Sequence, residues 1–206
     1  MGLKMIAVID YGAGNLQSVV KAFNFIGSDI FITGDKQKLM AADAAVLPGV
    51  GSFGDAMNCL KESRLVDPVI DFIKTGKPFL GICLGLQLLF EESEECPDVS
   101  GLGVLKGKIC KIPAESGLKI PHIGWNSLNL QQDDGLFQGL EPNPYVYFVH
   151  SYYLKAQERE IVSSTASYGV TIDASVRKGN VFATQFHPEK SGETGLKMLR
   201  NFVSLI

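Results

Sequence analysis

A single cysteine stands between two glycines where an apolar run passes into a helical pattern. Cys83 is flanked by Gly81 and Gly85 in the segment GICLGLQLLFE. A thiol is a good nucleophile only as a thiolate, and the free N–H groups at a helix start favour that charge. The glycines suit the tight strand-to-helix turn of a nucleophile elbow, where the N–H of Leu84 would point at an oxyanion on the substrate. The pattern predicts either a nucleophile at Cys83 or a buried core thiol.

A partner base favours the first interpretation, and the segment TQFHPEKSG offers one. His187 precedes Pro188, so its backbone is expected to be extended rather than helical. Residues two apart in an extended segment point to the same side, which would place Glu189 beside the imidazole. Cys83, His187 and Glu189 are therefore a candidate nucleophile, base and orienting carboxylate. His122 and His150 have no carboxylate two residues away, and we interpret them as core or rim residues.

The elements that must position these groups alternate in type over the first half of the chain. The pattern predicts strands at 5–9, 29–33, 44–49 and 78–82 and helices at 16–27, 67–76 and 84–95. Such alternation indicates βαβ units and a mostly parallel sheet, with ligands beyond the carboxyl ends of the strands. The loops DYGAGN and PGVGSFG, and Cys83 itself, all follow predicted strands.

From about residue 101 the pattern becomes richer in strands. Strands are predicted at 103–112, 145–154, 160–169, 171–179 and 180–186, followed by an amphipathic helix at 192–206. We expect one α/β domain over residues 1–206, with a mostly parallel central sheet flanked by helices and a more antiparallel second half.

Composition excludes several other classes of protein. The formal net charge of −3 and the dispersed basic residues argue against a nucleic-acid partner. No apolar run approaches the ~18 residues of a membrane span, and the start of the chain does not fit a signal peptide. The four cysteines form no CxxC pair and no zinc spacing, so we expect no metal, no cofactor, free thiols and a cytoplasmic location.

Three segments together resemble the class I (triad) glutamine amidotransferases. They are PGVGSFGDAM, LGICLGLQLLFEESEE and TQFHPEKSG, and the order Cys83, His187, Glu189 fits that family. The resemblance covers essentially the whole chain. Within the family, IDYGAGNLQSV, PGVGSFG, PHIGWN and YFVHSYY are most similar to the glutaminase subunits of imidazole glycerol phosphate synthases, which act in histidine biosynthesis.

The resemblance implies a glutaminase mechanism and a set of site residues. Cys83 would attack the side-chain amide of L-glutamine, His187 would carry the proton to the leaving ammonia, and water would hydrolyse the glutamyl thioester. The implied oxyanion donors are the N–H of Leu84 and an N–H of Val50 or Gly51. The implied substrate-binding residues are Gly49, Gln87, Glu95, Ser151 and Tyr152. Gln87 and Glu95 also fit solvated positions on a helix.

The resemblance further implies a second chain that uses the ammonia. The partner would be a (β/α)₈-barrel cyclase subunit that makes imidazole glycerol phosphate and aminoimidazole carboxamide ribonucleotide. Asn15 would couple the interface to the oxyanion loop, and Trp125 and Lys190 would face the partner. Trp125 is equally compatible with a half-buried core position.

Two alternatives remain at this point. One is the glutaminase of another amidotransferase complex, although PGVGS, the LQ after the elbow and HPEK do not match the motifs expected of the pyridoxal phosphate or anthranilate synthases. The other is a catalytically silent protein of similar architecture that uses Cys83 as a redox switch. His187 and Glu189 argue against the switch, because a sensor needs no oriented base.

Overall fold

The computed structural model of the chain describes residues 4–114, 117–131 and 135–206. The strands are β1 Ile6–Ile9, β2 Ile30–Thr33, β3 Ala44–Gly49, β4 Phe79–Cys83, β5 Glu92–Ser93, β6 Gly107–Lys111, β7 His122–Ser127, β8 Asn129–Leu130, β9 Tyr145–His150, β10 Tyr152–Ala156, β11 Val162–Tyr168, β12 Val170–Lys178 and β13 Val181–Thr184. The helices are α1 Leu16–Phe25, α2 Lys36–Ala41, α3 Phe53–Glu62, α4 Val66–Lys74, α5 Leu84–Gln87 and α6 Gly192–Ser204.

The centre of the large sheet is parallel. Its strands lie in the order β2, β1, β3, β4, β13, and each neighbouring pair is parallel. β1, β3, β4 and β13 are buried along their whole lengths, as expected for strands covered on both faces, and their sequences are accordingly near-continuous apolar runs. The predicted α/β class with a mostly parallel central sheet is confirmed.

The second half of the chain adds the antiparallel part. β12 pairs antiparallel with β13, β10 and β11, and β10 pairs antiparallel with β6. β7 and β9 form a separate two-stranded antiparallel sheet in which His122 lies opposite His150. This arrangement confirms the predicted change of pattern after residue 101.

Helices cover both faces of the parallel sheet. On one face α3 and α4 bury Leu60 and Phe72 against the sheet, and on the other α1 and α6 bury Phe23 and Phe202, whose rings meet edge to face. Ser52 caps α3 by accepting a hydrogen bond from the N–H of Asp55. The two layers hold the carboxyl ends of β1, β3, β4 and β13 along one edge of the sheet.

The predicted helix over 84–95 is wrong in its length. α5 ends at Gln87, turns follow, and Glu92 and Ser93 form the short strand β5. The carbonyl groups of Leu88 and Leu89 accept hydrogen bonds from the N–H groups of Leu102, Val104 and Leu105 instead of from their own helix. The segment 102–105, which takes these carbonyl groups, is distant in sequence, so the apolar spacing within 84–95 could not predict where the helix ends.

The predicted strand over 145–154 is in fact two strands in two sheets. β9 pairs with β7, whereas β10 joins the large sheet beside β6 and β12. Ser151 is the residue between them, and it lines the cavity described below. The sequence YVYFVHSYYL contains no glycine or proline that would signal the change of sheet.

Candidate active site

Cys83 lies on a strained turn between β4 and α5. Its φ and ψ angles are 56° and −110°, a conformation that L-residues rarely adopt. A Cβ on Gly85 would overlap the carbonyl oxygen of Leu47, and one on Gly81 would lie 2.8 Å from the carbonyl oxygen of Gly85. Backbone therefore crosses backbone at this turn, which explains the two glycines around the cysteine. Because α5 has only one helical turn, the free N–H groups at its start can still stabilise a thiolate at Cys83, but the helix is too short to add a large dipole.

His187 and Glu189 form a buried pair immediately after β13. His187 has the extended backbone expected before proline, and a single 3₁₀ turn at Pro188–Lys190 then brings Glu189 back beside it. The Nδ1 atom of His187 lies 2.8 Å from Oε1 of Glu189, and the side chains are 3% and 2% exposed. Because a carboxylate accepts hydrogen bonds, Nδ1 carries the proton and Nε2 is left for another partner.

The environment of His187 favours its protonated form. Burial by itself lowers the pKa of His187, but the Cys83 sulfur and the Glu189 carboxylate outweigh it and raise that pKa to about 10. Nε2 is buried and has no partner with hydrogen-bond geometry among the described residues. The nitrogen is therefore placed to take a proton from the neighbouring thiol once the two groups align.

One cavity of about 350 Å³ joins the nucleophile, the base and most of the predicted binding residues. Cys83 and His187 line it together. Its other predicted lining residues are Val50, Gly51, Leu84, Gln87, Glu95, Ser151 and Tyr152. The predicted binding residue Gly49 is not among the lining residues; it pairs with Cys83 in the sheet, where a Cβ would be 2.8 Å from that of Leu84. The volume suits an amino-acid side chain with its α-carbon groups.

Gln87 has a fixed orientation at the cavity wall. Its Nε2 donates to the carbonyl oxygen of Tyr152 at 3.2 Å and to Oε1 of Gln185 at 3.0 Å. Both amide protons are then used, so a bound molecule can meet only the carbonyl oxygen of the Gln87 side chain. Gln87 is the last residue of α5, four residues after Cys83, and it is buried rather than solvated.

Glu95 reaches the same cavity, although it does not lie on a helix as predicted. It follows β5, and its Oε2 accepts a hydrogen bond from the N–H of Phe53 at 2.7 Å, at the start of α3. This bond uses one carboxylate oxygen. The carboxylate also gives the cavity wall a negatively charged group that is separate from the His187–Glu189 pair.

The strand that leads into the predicted oxyanion loop is held by a buried tyrosine. The hydroxyl of Tyr11 donates to the carbonyl oxygen of Pro48 at 3.0 Å. Gly51 has φ of 94° and Val50 is 44% exposed, so the chain after β3 is less enclosed than the strand itself. Residues 50 and 51 thus follow Gly49, which pairs with Cys83, on a segment whose Pro48 carbonyl is held by Tyr11.

The three predicted coupling and partner residues lie outside the substrate cavity. Asn15 caps α1 by accepting from the N–H of Ser18, and it lines a small cavity that also touches Gly49, Val50 and Glu189. Lys190 is exposed directly after the triad carboxylate. Trp125 is 55% exposed on the outer face of β7, where its ring meets that of Tyr147. Trp125 is therefore a surface residue rather than part of the core.

His122 and His150 form a second buried histidine pair. Nδ1 of His150 must donate to the carbonyl of Tyr152 (2.8 Å), so Nε2 of a neutral His150 accepts from Nδ1 of His122 at 3.0 Å. Burial lowers the pKa of each to about 4. Both rings are therefore neutral near pH 7, and neither is placed against the thiol as His187 is.

Two further polar residues at the site were not predicted from the sequence. Gln185 is fully buried, and its Nε2 lies 3.8 Å from the Cys83 sulfur. Tyr11 is the other, through its bond to Pro48. Gln185 had a detectable signal, because it is a lone amide in the apolar run VFATQF and stands two residues before His187, on the same side of an extended chain.

Comparison with known proteins gives a consistent result over nearly the full chain. Residues 7–205 match the family model of class I glutamine amidotransferases. A protein of Methanothermobacter thermautotrophicus named imidazole glycerol phosphate synthase subunit HisH is 52% identical over 202 residues, covering 98% of this chain and 99% of that protein. Another from Methanococcus maripaludis, named imidazole glycerol phosphate synthase subunit HisH 1, is 49% identical over 205 residues, covering 98% of this chain and all of that protein.

Solved structures of lower identity share the fold. A chain in the structure of PurLQS from Thermotoga maritima superimposes with a TM-score of 0.76 at 20% identity, covering 98% of this chain and 99% of that one. Among the described residues, no helix is both long and apolar enough to cross a membrane.

Proposed function

The chain belongs to the class I glutamine amidotransferases, and from this membership we propose that it hydrolyses L-glutamine and delivers the ammonia to a separate cyclase subunit. The cyclase would be the (β/α)₈-barrel partner of imidazole glycerol phosphate synthase, as the names of the relatives suggest. The observation that carries the proposal is a buried Cys83, His187 and Glu189 constellation opening into one cavity of suitable size.

The first chemical step is attack by sulfur on the carboxamide carbon of glutamine. The Cys83 proton passes to Nε2 of His187, whose imidazolium form is stabilised by Glu189. The carbonyl π-bond opens to an oxyanion, which the N–H of Leu84 and an N–H of Val50 or Gly51 stabilise. The anchored Pro48 peptide limits any rearrangement to the peptides after it, beside Gly49 and Gly51.

The oxyanion then collapses and ammonia leaves. His187 gives its proton to the departing nitrogen, and a glutamyl thioester remains on Cys83. Water adds to the thioester carbonyl with His187 again acting as base, and the thiol and glutamate are released. Each step uses the same nitrogen of the imidazole, because Nδ1 stays bonded to Glu189.

Recognition of glutamine is divided among several lining groups of the cavity. The free oxygen of Gln87 accepts a hydrogen bond from the ligand, since its nitrogen is already occupied. The Glu95 carboxylate attracts the α-ammonium group. Backbone groups of Ser151 and Tyr152 complete the site, where the chain crosses from one sheet to the other.

An exposed apolar face beside the site supports the presence of a partner. Ile123, Trp125 and Tyr145 are each more than half exposed on the outer face of the β7–β9 sheet. A contiguous apolar face on a solvent-facing sheet marks an interaction surface. Tyr147 and Val149 lie on the same face, and Val149 also lines the cavity, so ammonia released there would emerge near the partner.

The test is a measurement of ammonia release from glutamine by the chain alone, with the cyclase, and with the cyclase plus its ribonucleotide. We expect low activity alone and a rise of several orders of magnitude in the complete system, all of it lost in Cys83→Ser. Full activity in the isolated chain, unaffected by partner or ligand, would contradict the coupling. No activity in the complete system would contradict the glutaminase itself.

A further inference from the structure

A chain of side-chain amides leads from a backbone carbonyl to the nucleophile. Nε2 of Gln87 donates hydrogen bonds to the carbonyl oxygen of Tyr152 and to Oε1 of Gln185. Nε2 of Gln185 in turn lies 3.8 Å from the Cys83 sulfur. Gln185 is fully buried and Gln87 is 5% exposed. The mechanism described above uses Cys83 and Gln87 but gives Gln185 no task.

The direction of every bond in this chain is fixed by its first member. A backbone carbonyl can only accept, so the Gln87 atom that faces it must be the nitrogen. That nitrogen can only donate, so the Gln185 atom beside it must be the oxygen. The remaining atom of the Gln185 amide, the one that faces the sulfur, must therefore be the NH₂ group. No alternative flip of either amide leaves all three contacts satisfied.

We propose that Gln185 is a catalytic residue whose side-chain NH₂ group donates a hydrogen bond to the Cys83 sulfur and stabilises its thiolate form. The catalytic role of this hydrogen bond rests on the proposed glutaminase function. The hydrogen bond itself does not, because it reaches the sulfur whether or not glutamine is present. The thiol proton still moves to His187. Gln185 gains importance as that proton leaves, because a hydrogen bond to a charged acceptor is stronger than one to a neutral thiol.

The position of Gln185 makes the donor hard to replace with solvent. It follows β13 directly, and its backbone N–H is bonded to the carbonyl of Ala174 at 2.8 Å. The Cys83 sulfur also lies 3.9 Å from the carbonyl oxygen of Val149, which can accept from a thiol but repels a thiolate. A second group that donates to the sulfur therefore offsets the repulsion at the moment of attack.

The test is the pH dependence of Cys83 alkylation by iodoacetamide in the isolated chain, measured by peptide mass spectrometry. In Gln185→Met, an uncharged side chain of similar length without a donor, we expect the pH midpoint to rise by about one unit and the rate at pH values well below the midpoint to fall about tenfold. Gln185→Glu keeps an acceptor for Gln87 but removes the donor, so it should shift the midpoint in the same direction.

The matched control is Thr184→Val. Thr184 is the preceding residue and is equally buried, and its hydroxyl donates a hydrogen bond to the carbonyl of Phe186 rather than to the sulfur. It should lower thermal stability and leave the alkylation profile unchanged. An unchanged profile in a folded Gln185→Met variant, or an equal shift in Thr184→Val, would overturn the proposal.

A measurement on the unsubstituted chain decides the matter if the Gln185 variants do not fold. The side-chain NH₂ resonances of Gln185 should shift with the ionisation of Cys83 in an NMR titration, and the shift should disappear in Cys83→Ser. Resonances that do not respond to Cys83 would overturn the role of Gln185. Neither result depends on glutaminase activity, so failure here is distinguishable from failure of the proposed function.

Discussion

His187 carries the proton in each step of the proposed mechanism, and the carboxylate of Glu189 favours the charged form of its imidazole. Glu189 is one of the causes that hold the pKa of His187 above its ordinary value, against the opposing effect of burial. Its second oxygen, Oε2, is buried with no partner among the described residues. The charge of this carboxylate is therefore directed at the imidazole more than at any other group nearby.

Glu189→Gln tests that dependence. The amide can still accept from Nδ1 of His187 but carries no charge, so the pKa of His187 should fall. The imidazolium then releases its proton at lower pH, and Cys83 keeps its own proton to higher pH. We expect glutaminase kcat to fall about a hundredfold and the pH–rate profile to narrow, with its acid limb at higher pH and its alkaline limb at lower pH.

Glu193→Gln is the control for Glu189→Gln, because this carboxylate is exposed on α6. Its removal should change neither kcat nor the pH–rate profile. A Glu189→Gln enzyme with an unshifted profile would mean that the carboxylate only fills space beside the ring.

At the scale of elements, the elbow depends on backbone packing that only glycine permits. Gly85 approaches the Leu47 carbonyl so closely that any Cβ would overlap it. Gly85→Ala should cost about 3 kcal/mol of unfolding free energy and reduce activity, because β3 and α5 must separate. Thermal or denaturant unfolding measures the first effect.

Gly76→Ala separates this clash from backbone strain. Gly76 has φ of 77° but open space around its Cβ position. Its replacement should cost about 1 kcal/mol and leave activity unchanged. Equal losses in the two variants would show that crowding at the elbow is not the limiting factor.

The His122–His150 pair predicts a pH dependence of stability in the β7–β9 sheet. Both pKa values are lowered to about 4 in the folded chain, below the ordinary value of 6.5. The folded state thus binds fewer protons than the unfolded state between these limits. Stability from the neutral pair is complete above pH 6.5 and is lost as the pH falls towards 4, at about 1.4 kcal/mol per pH unit for each histidine.

His122→Asn is the variant that measures this effect. Asparagine can still donate to Nε2 of His150 but does not titrate, so the slope of unfolding free energy between pH 6 and 5 should be about half that of the unsubstituted chain. An unchanged slope would mean that the pair does not hold these pKa values in the folded state.

Much of this element structure could be predicted from local sequence. Cys83 on its turn, the extended His187 and the parallel first half all follow from residue type and spacing within short windows. The end of α5 could not be predicted, because residues 102–105 bond to the carbonyl groups that follow it from a distance in sequence. The switch of sheet at Ser151 and the amide chain through Gln185 likewise depend on neighbours far apart in sequence.

The molecule as a whole places its exposed apolar face beside its reaction site. Trp125 is the largest side chain on that face, and its ring lies against that of Tyr147. Val149, two residues further along the same strand, lines the cavity. Large aromatic residues at the centre of an interface often carry much of the binding energy. Trp125→Ala should therefore weaken binding of the cyclase by about 2 kcal/mol, or roughly thirtyfold in Kd.

Phe25→Ala is the matched control for Trp125→Ala. Phe25 is 72% exposed at the end of α1 and is not on the β7–β9 sheet. Titration calorimetry with the cyclase should give an unchanged Kd for this variant. A similar loss in both variants, or none in Trp125→Ala, would place the partner elsewhere on the molecule.

The nucleophile itself can be identified by covalent labelling with a glutamine-mimicking diazoketone, followed by mass spectrometry of the peptides. We expect one label, on Cys83, prevented by excess glutamine and strongly slowed in His187→Asn, while Cys59 and Cys96 remain unmodified. Labelling spread over several cysteines and indifferent to glutamine would contradict the assignment of Cys83 as the nucleophile of a glutaminase.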